Sequence, residues 1–244
     1  MKKLRRITEA EVIAEFLKAE FFYPEYSADR KRFSDIVDQP DFSDELENRL
    51  RRALLFRRRD AMWKELPEDR QWWEVELEAD DVDRVRVFPR AHWRKLAQGN
   101  FSAPHVAESV RQRMEHPGSN RFADKMAAIC ADMQTGAPMG LVIFIGIDEQ
   151  RPITLLEGNH RFIASLLTSA SGTIAGRRVI GGFSPNMERC CWYKTNFQTL
   201  LHYLKNRIQH YWARDPDVTL LLEHTEQRQK AADYAESAPP IKTK

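Results

Sequence analysis

The sequence predicts a mixed α/β fold of the α+β type. Two β-rich runs, Leu141-Val142-Ile143-Phe144-Ile145 and Ile153-Thr154-Leu155-Leu156, flank the polar turn Asp148-Glu149-Gln150-Arg151-Pro152 and should pair as a hairpin. Period-two alternation appears at Trp73-Glu74-Val75-Glu76-Leu77 and Val82-Asp83-Arg84-Val85-Arg86-Val87. Apolar residues at helical spacing occupy much of the remainder.

Thr8 and Glu11 form a capping-box pattern, with Ile7 and Val12 placed as a hydrophobic staple, so a first helix should run over residues 9–20. The aromatic stretch Phe21-Phe22-Tyr23-Pro24-Glu25-Tyr26 is interrupted by Pro and reads as a packed loop. Ser43 followed by Asp44 and Glu45 reads as an N-cap for a helix over 44–65, with Leu46, Leu50, Ala53 and Leu54 as its buried stripe. That helix carries Arg51, Arg52, Arg57, Arg58 and Arg59, a charge run that reads as a solvated face or as a surface for phosphates.

Further on, Pro89 precedes a short helix over 91–97, which Gly99 can end in a left-handed conformation. Phe122, Met126, Ile129, Cys130 and Met133 mark another helix, with Ser119 or Asn120 available as its cap. Behind the hairpin, Gly158 ends the second strand, and Phe162, Ile163, Leu166 and Leu167 place residues 159–161 on the first turn of a helix. Gly172 and Gly176 should end it before a strand at Val179-Ile180. A last amphipathic helix over 197–212 carries Phe197, Leu200, Leu201, Leu204 and Ile208 on one face, and the apolar content falls from about Glu226.

The organisation expected is a helical N-terminal extension (1–81), an α/β core (82–185), a C-terminal helical segment (186–225) and a mobile tail (226–244). Composition narrows the function classes. Lys and Arg total 38 against 36 for Asp and Glu, so the formal charge of +2 gives no global drive toward nucleic acid or an anionic membrane. Cys130, Cys190 and Cys191 form neither a CxxC pair nor a zinc pattern, which fits a reducing compartment; a cytoplasmic protein with no membrane partner is the expectation. His202, Tyr203, His210, Tyr211, Trp212, Trp72, Trp73 and Trp93 read as packing residues.

The stretch Glu157-Gly158-Asn159-His160-Arg161 concentrates the chemistry. A strand ending in a carboxylate, a Gly that allows close backbone approach, and a helix start with open N–H groups together make an anion cradle, and Arg161 can grip a phosphate with two parallel hydrogen bonds. Glu157 suits a phosphate-bound divalent cation or a general-base role. The positive helix end should favour a neutral His160.

With these residues in view, the chain resembles the ParB/sulfiredoxin superfamily over residues 82–185, whose domain sets a GxxR-type turn between a hairpin strand and a helix. Sulfiredoxin chemistry needs a Cys where this chain has Asn159, and the chromosome-partitioning branch carries an Arg where it has His160. The turn is most similar to the D-G-H-H-R form of the free-serine kinase branch, with Glu157 for the Asp and Asn159 for the first His. The resemblance implies a ParB/sulfiredoxin-like core with additional N- and C-terminal helices. It further implies a nucleoside triphosphate with magnesium as cofactor, a phosphorylated small molecule or nucleotide as partner, and phosphotransfer or nucleotide hydrolysis as the activity. Glu157 would approach the magnesium and act with His160 in catalysis, while Gly158, Asn159, His160 and Arg161 would hold the nucleotide. No spacing selects a further catalytic carboxylate between Asp83 and Glu108. The alternative is a non-catalytic module of this shape that binds nucleic acid or a protein partner through the Arg51 to Arg59 face.

Overall fold

The computed structural model describes residues 1–115, 121–136, 140–168, 178–212 and 215–237. The chain divides into two compact units, one of residues 1–12 and 64–207 and the other of residues 13–63 and 208–244.

The first unit is built on a six-stranded mixed sheet of β1 (Lys2–Ile7), β2 (Gln71–Glu76), β3 (Val85–Arg86), β4 (Ile143–Gly146), β5 (Ile153–Glu157) and β6 (Arg178–Phe183), in the order β1-β2-β6-β4-β5-β3. β4 and β5 form the expected antiparallel hairpin, with Phe144 opposite Leu155 and Ile143 opposite Glu157 across a register shift. β6 runs parallel to β4, and β2 antiparallel to β6. Val75, Val142, Phe144, Ile153, Leu155 and Val179 bury their side chains with Trp93, Val106, Met126, Phe162 and Ile163 in one core. The helices that supply these last residues are α4 (Ala91–Ala97), α5 (Ala103–Glu115), α6 (Arg121–Gln134) and α7 (Asn159–Thr168).

Several expectations need correction. Residues 1–81 are not a helical extension, because β1 and β2 are strands of the sheet and lie on the far side of β6 from the hairpin. The alternating run 82–87 forms only the two-residue β3, which pairs in parallel with β5; residues Ala79–Arg84 are a 3-10 helix held by a capping box between Glu78 and Asp81. Two side-chain-to-backbone bonds thus override the alternation. α4 ends with Gln98 as well as Gly99 at positive φ. The expected caps Ser119 and Asn120 and the helix-breaking Gly172 and Gly176 lie outside the described residues.

The second unit contains most of α1 (Glu9–Glu20), then α2 (Ser27–Asp38), α3 (Glu45–Trp63) and α9 (Pro216–Ser237). α8 (Phe197–Trp212) belongs to the first unit up to Arg207. The capping box of α1 is present: Thr8 N–H donates to Glu11 Oε2 at 2.7 Å, and Glu11 N–H to Thr8 Oγ1 at 3.2 Å. In α3 the cap is Asp44, which accepts from the N–H groups of Leu46 and Glu47, while Ser43 is held by Asp41. α9 continues through the stretch expected as a tail as far as Ser237, because Gln, Lys, Glu and Ala are good helix formers even where apolar content is low; residues 238–244 lie outside the described set.

The five arginines of α3 divide: Arg51 is buried, Arg52 and Arg57 are half-buried, and Arg58 and Arg59 are exposed as on a solvated face. Arg51 is fully buried and donates to the carbonyls of Ile36 and Asp41 and to Glu47 and Asn48. Arg52 pairs with Asp217 at 2.5 Å, Arg57 with the buried Asp29, and Arg59 with the buried Glu20 at 2.8 Å. Arg58 donates to the Glu25 carbonyl. Charge that looks free in the sequence is spent joining α1, α2 and α9 to α3.

Candidate functional site

β5 ends at Glu157, Gly158 turns the chain at φ +84°, and Asn159 opens α7. The turn strongly favours Gly. A β-carbon there would lie 2.6 Å from the Leu141 carbonyl oxygen and 2.9 Å from Val142 Cγ2, in a left-handed conformation that already disfavours other residues. Phe162 N–H makes the first helical bond, to Gly158 O at 2.8 Å, so the N–H groups of Asn159, His160 and Arg161 precede the helical ladder.

The side chains of the turn separate by role. Asn159 is buried; its Oδ1 accepts from Phe88 N–H at 2.8 Å and its Nδ2 donates to Leu155 O at 3.5 Å. It ties the segment after β3 to the end of β5. Glu157, half-buried, accepts the Gly158 N–H at 2.8 Å. Arg161, also half-buried, lays its stem along Gly140 and donates Nη1 to Leu141 O at 3.0 Å. Among the described residues no carboxylate pairs with it.

His160 packs edge-on to Trp93 at 4.9 Å between ring centroids and lies 5.6 Å from Phe122, which in turn sits 4.3 Å from His92. Burial pushes its imidazole down to about 4, and the charges of Lys125, His92 and Arg161 push the same way. His160 is therefore neutral at pH 7. Its neutrality comes first from burial, where sequence reasoning invoked the helix end.

Sequence reasoning missed the floor of this site: Gly140 at φ +70°, the Leu141 carbonyl, and the aromatic wall of Trp93 and Phe122. The Gly in Pro138-Met139-Gly140 was a usable turn signal. The remaining candidates are placed elsewhere. Glu108 pairs with Arg111, and Asp83 lines a cleft with Arg84, Arg86 and Asn100. Cys190 and Cys191 are buried, and burial raises their thiols to about 11 and about 12, far from reactive thiolates. Trp72 and Trp93 are buried as expected, whereas His202 is exposed and lies 3.2 Å from Asn206. The side chain of His210 lies outside the described residues.

Compared with known protein families, with curated proteins and with solved structures, the chain matches none. Among the described residues no group of three His, Cys, Asp or Glu side chains is arranged to hold a metal ion, and no helix is long and apolar enough to cross a membrane.

Proposed function

We propose that the turn between β5 and α7 binds the phosphates of a nucleoside triphosphate, and that the protein transfers or hydrolyses the terminal phosphoryl group. One observation carries this reading: Arg161 is a cation on the positive end of a helix, and among the described residues its one polar contact is a neutral carbonyl. A cation there is electrostatically unfavourable to the helix, and a bound anion reverses the sign of that interaction. The N–H groups ahead of the helical ladder belong to the same turn, and Gly158 lets the Leu141 backbone approach it closely.

Each residue then has a task. Arg161 and the first-turn N–H groups hold phosphate oxygens. A base near 4 is a poor proton acceptor at neutral pH, so His160 serves as a neutral hydrogen-bond donor. Magnesium bound with the nucleotide would neutralise phosphate charge; it keeps several waters and needs few protein carboxylates, so Glu157 alone fits it. Asn159 has a structural task, accepting the Phe88 N–H. The kinase-like resemblance of the turn agrees with these tasks and implies the reaction class. The nucleic-acid alternative has less to support it, since Arg51 is buried and Arg52, Arg57 and Arg59 pair with acids of their own unit.

Calorimetric titration with ATP, CTP and GTP, with and without magnesium, tests the reading. Binding of at least one nucleotide, weakened by Arg161→Ala, is expected. No heat with any of the three overturns it.

A further inference from the structure

α8 is turned opposite to its amphipathic pattern. Its packed side is Thr199, Tyr203 and Asn206: Thr199 Oγ1 donates to Lys194 O at 2.7 Å, Tyr203 sits edge-on to Trp192 at 5.4 Å, and Asn206 donates to Glu65. Those anchors leave the apolar stripe outside. Phe197, Leu201, Leu204 and Ile208 keep 75%, 50%, 54% and 63% of their surface exposed. A contiguous apolar stripe of this kind on an amphipathic helix marks an interaction surface.

We propose that α8 pairs antiparallel with α8 of a second copy of this chain. The stripe is spaced four, three and four residues apart, the seam of a two-stranded coiled coil. That spacing reads the same in reverse: about a two-fold axis between residues 202 and 203, Leu201 meets Leu204 of the second copy and Phe197 meets its Ile208. Charge selects the antiparallel sense. The exposed bases flanking the stripe, Lys205 and Arg207, both lie in its C-terminal half, so parallel pairing gathers four cations at one end. Antiparallel pairing sets them beside Leu200 and Gln198 and opposes the two helix dipoles. The four side chains expose roughly 400 Å² per chain, so two copies bury roughly 800 Å² before the polar flanks are counted. The polar flanks must bring this past the roughly 1,000 Å² of a specific interface, so the pairing is weak and dissociates on dilution.

Light scattering coupled to gel filtration of the full chain tests the pairing. The expected result is a mass approaching twice 28.6 kDa at high micromolar loading, falling to the single-chain mass on dilution. The double substitution Leu201→Glu and Leu204→Glu should give a single chain at every loading with an unchanged circular dichroism spectrum, because both positions are exposed. Orientation is read by disulfide trapping, for which Cys130, Cys190 and Cys191 are buried and silent. Mixing Phe197→Cys with Ile208→Cys should cross-link, and neither should cross-link alone, since each lies about 16 Å along the axis from its own counterpart. A wild-type chain that stays single throughout hands the stripe to a different partner and overturns the proposal, as does a double variant that still dimerises. Self-cross-linking of either single variant overturns the antiparallel arrangement.

Discussion

Arg161 reaches back to the segment before β4 and donates Nη1 to the Leu141 carbonyl at 3.0 Å. That same carbonyl is the atom that a β-carbon on Gly158 would strike. One backbone oxygen thus sets the shape of the turn and the direction of its cation. Gly158→Ala forces both a left-handed alanine and a displaced Leu141, at a cost of about 2–4 kcal/mol. The melting temperature should fall by roughly 5–15 °C; a fall of only a degree or two would show that the turn has another way to close.

Asn159→Ala separates structure from binding. Removing its carboxamide leaves the Phe88 N–H without its acceptor, which costs about 1–3 kcal/mol. Thermal melts should show that loss, while nucleotide affinity per folded molecule stays within about twofold of wild type. A binding defect at full stability would instead make Asn159 a ligand contact.

His160 makes the fold sensitive to acid. Its folded value of about 4 lies below the ordinary 6.5, so the folded state disfavours the proton and the unfolded chain accepts it first. The stabilisation is complete above the ordinary value and is lost as pH falls from about 6.5 through about 4. It amounts to a few kcal/mol at most, since the ring is partly open to solvent. His160→Gln should flatten the dependence of melting temperature on pH across that window. A proton NMR titration that places this imidazole near 6.5 would contradict the packing described.

Arg51 is the residue on which the α2–α3 connection depends. Arg51→Lys keeps the charge but cannot reach two carbonyls, Glu47 and Asn48 together, and should cost about 2–4 kcal/mol. Chemical denaturation measures it. The exposed Arg189, which makes no ion pair among the described residues, is the control, and Arg189→Lys should change stability by less than about 0.5 kcal/mol.

What the sequence disclosed was local. The hairpin, the start of α7 and the Thr8–Glu11 box are each specified within a dozen or so residues, and each is present. β1 escaped because Lys2-Lys3-Leu4-Arg5-Arg6-Ile7 lacks clean alternation and pairs with β2 some seventy residues later. The burial of Arg51 escaped because helical periodicity ranks a position by residue type, and an arginine among arginines reads as surface. At the candidate site, Glu157 to Arg161 stood out by composition, but the sharing of roles did not. Asn159 serves Phe88, and His160 is shaped by Trp93 and Phe122, and both relationships need the folded chain.

Whether Arg161 holds a phosphate is decided by paired calorimetry and thermal melts of Arg161→Lys and Arg161→Ala. Lysine keeps the charge but loses the planar fork, so nucleotide affinity should fall about tenfold, and alanine should lower it further, while both variants melt within a few degrees of wild type. Destabilised variants whose affinity per folded molecule is unchanged would make Arg161 a brace for Leu141 and not a phosphate ligand.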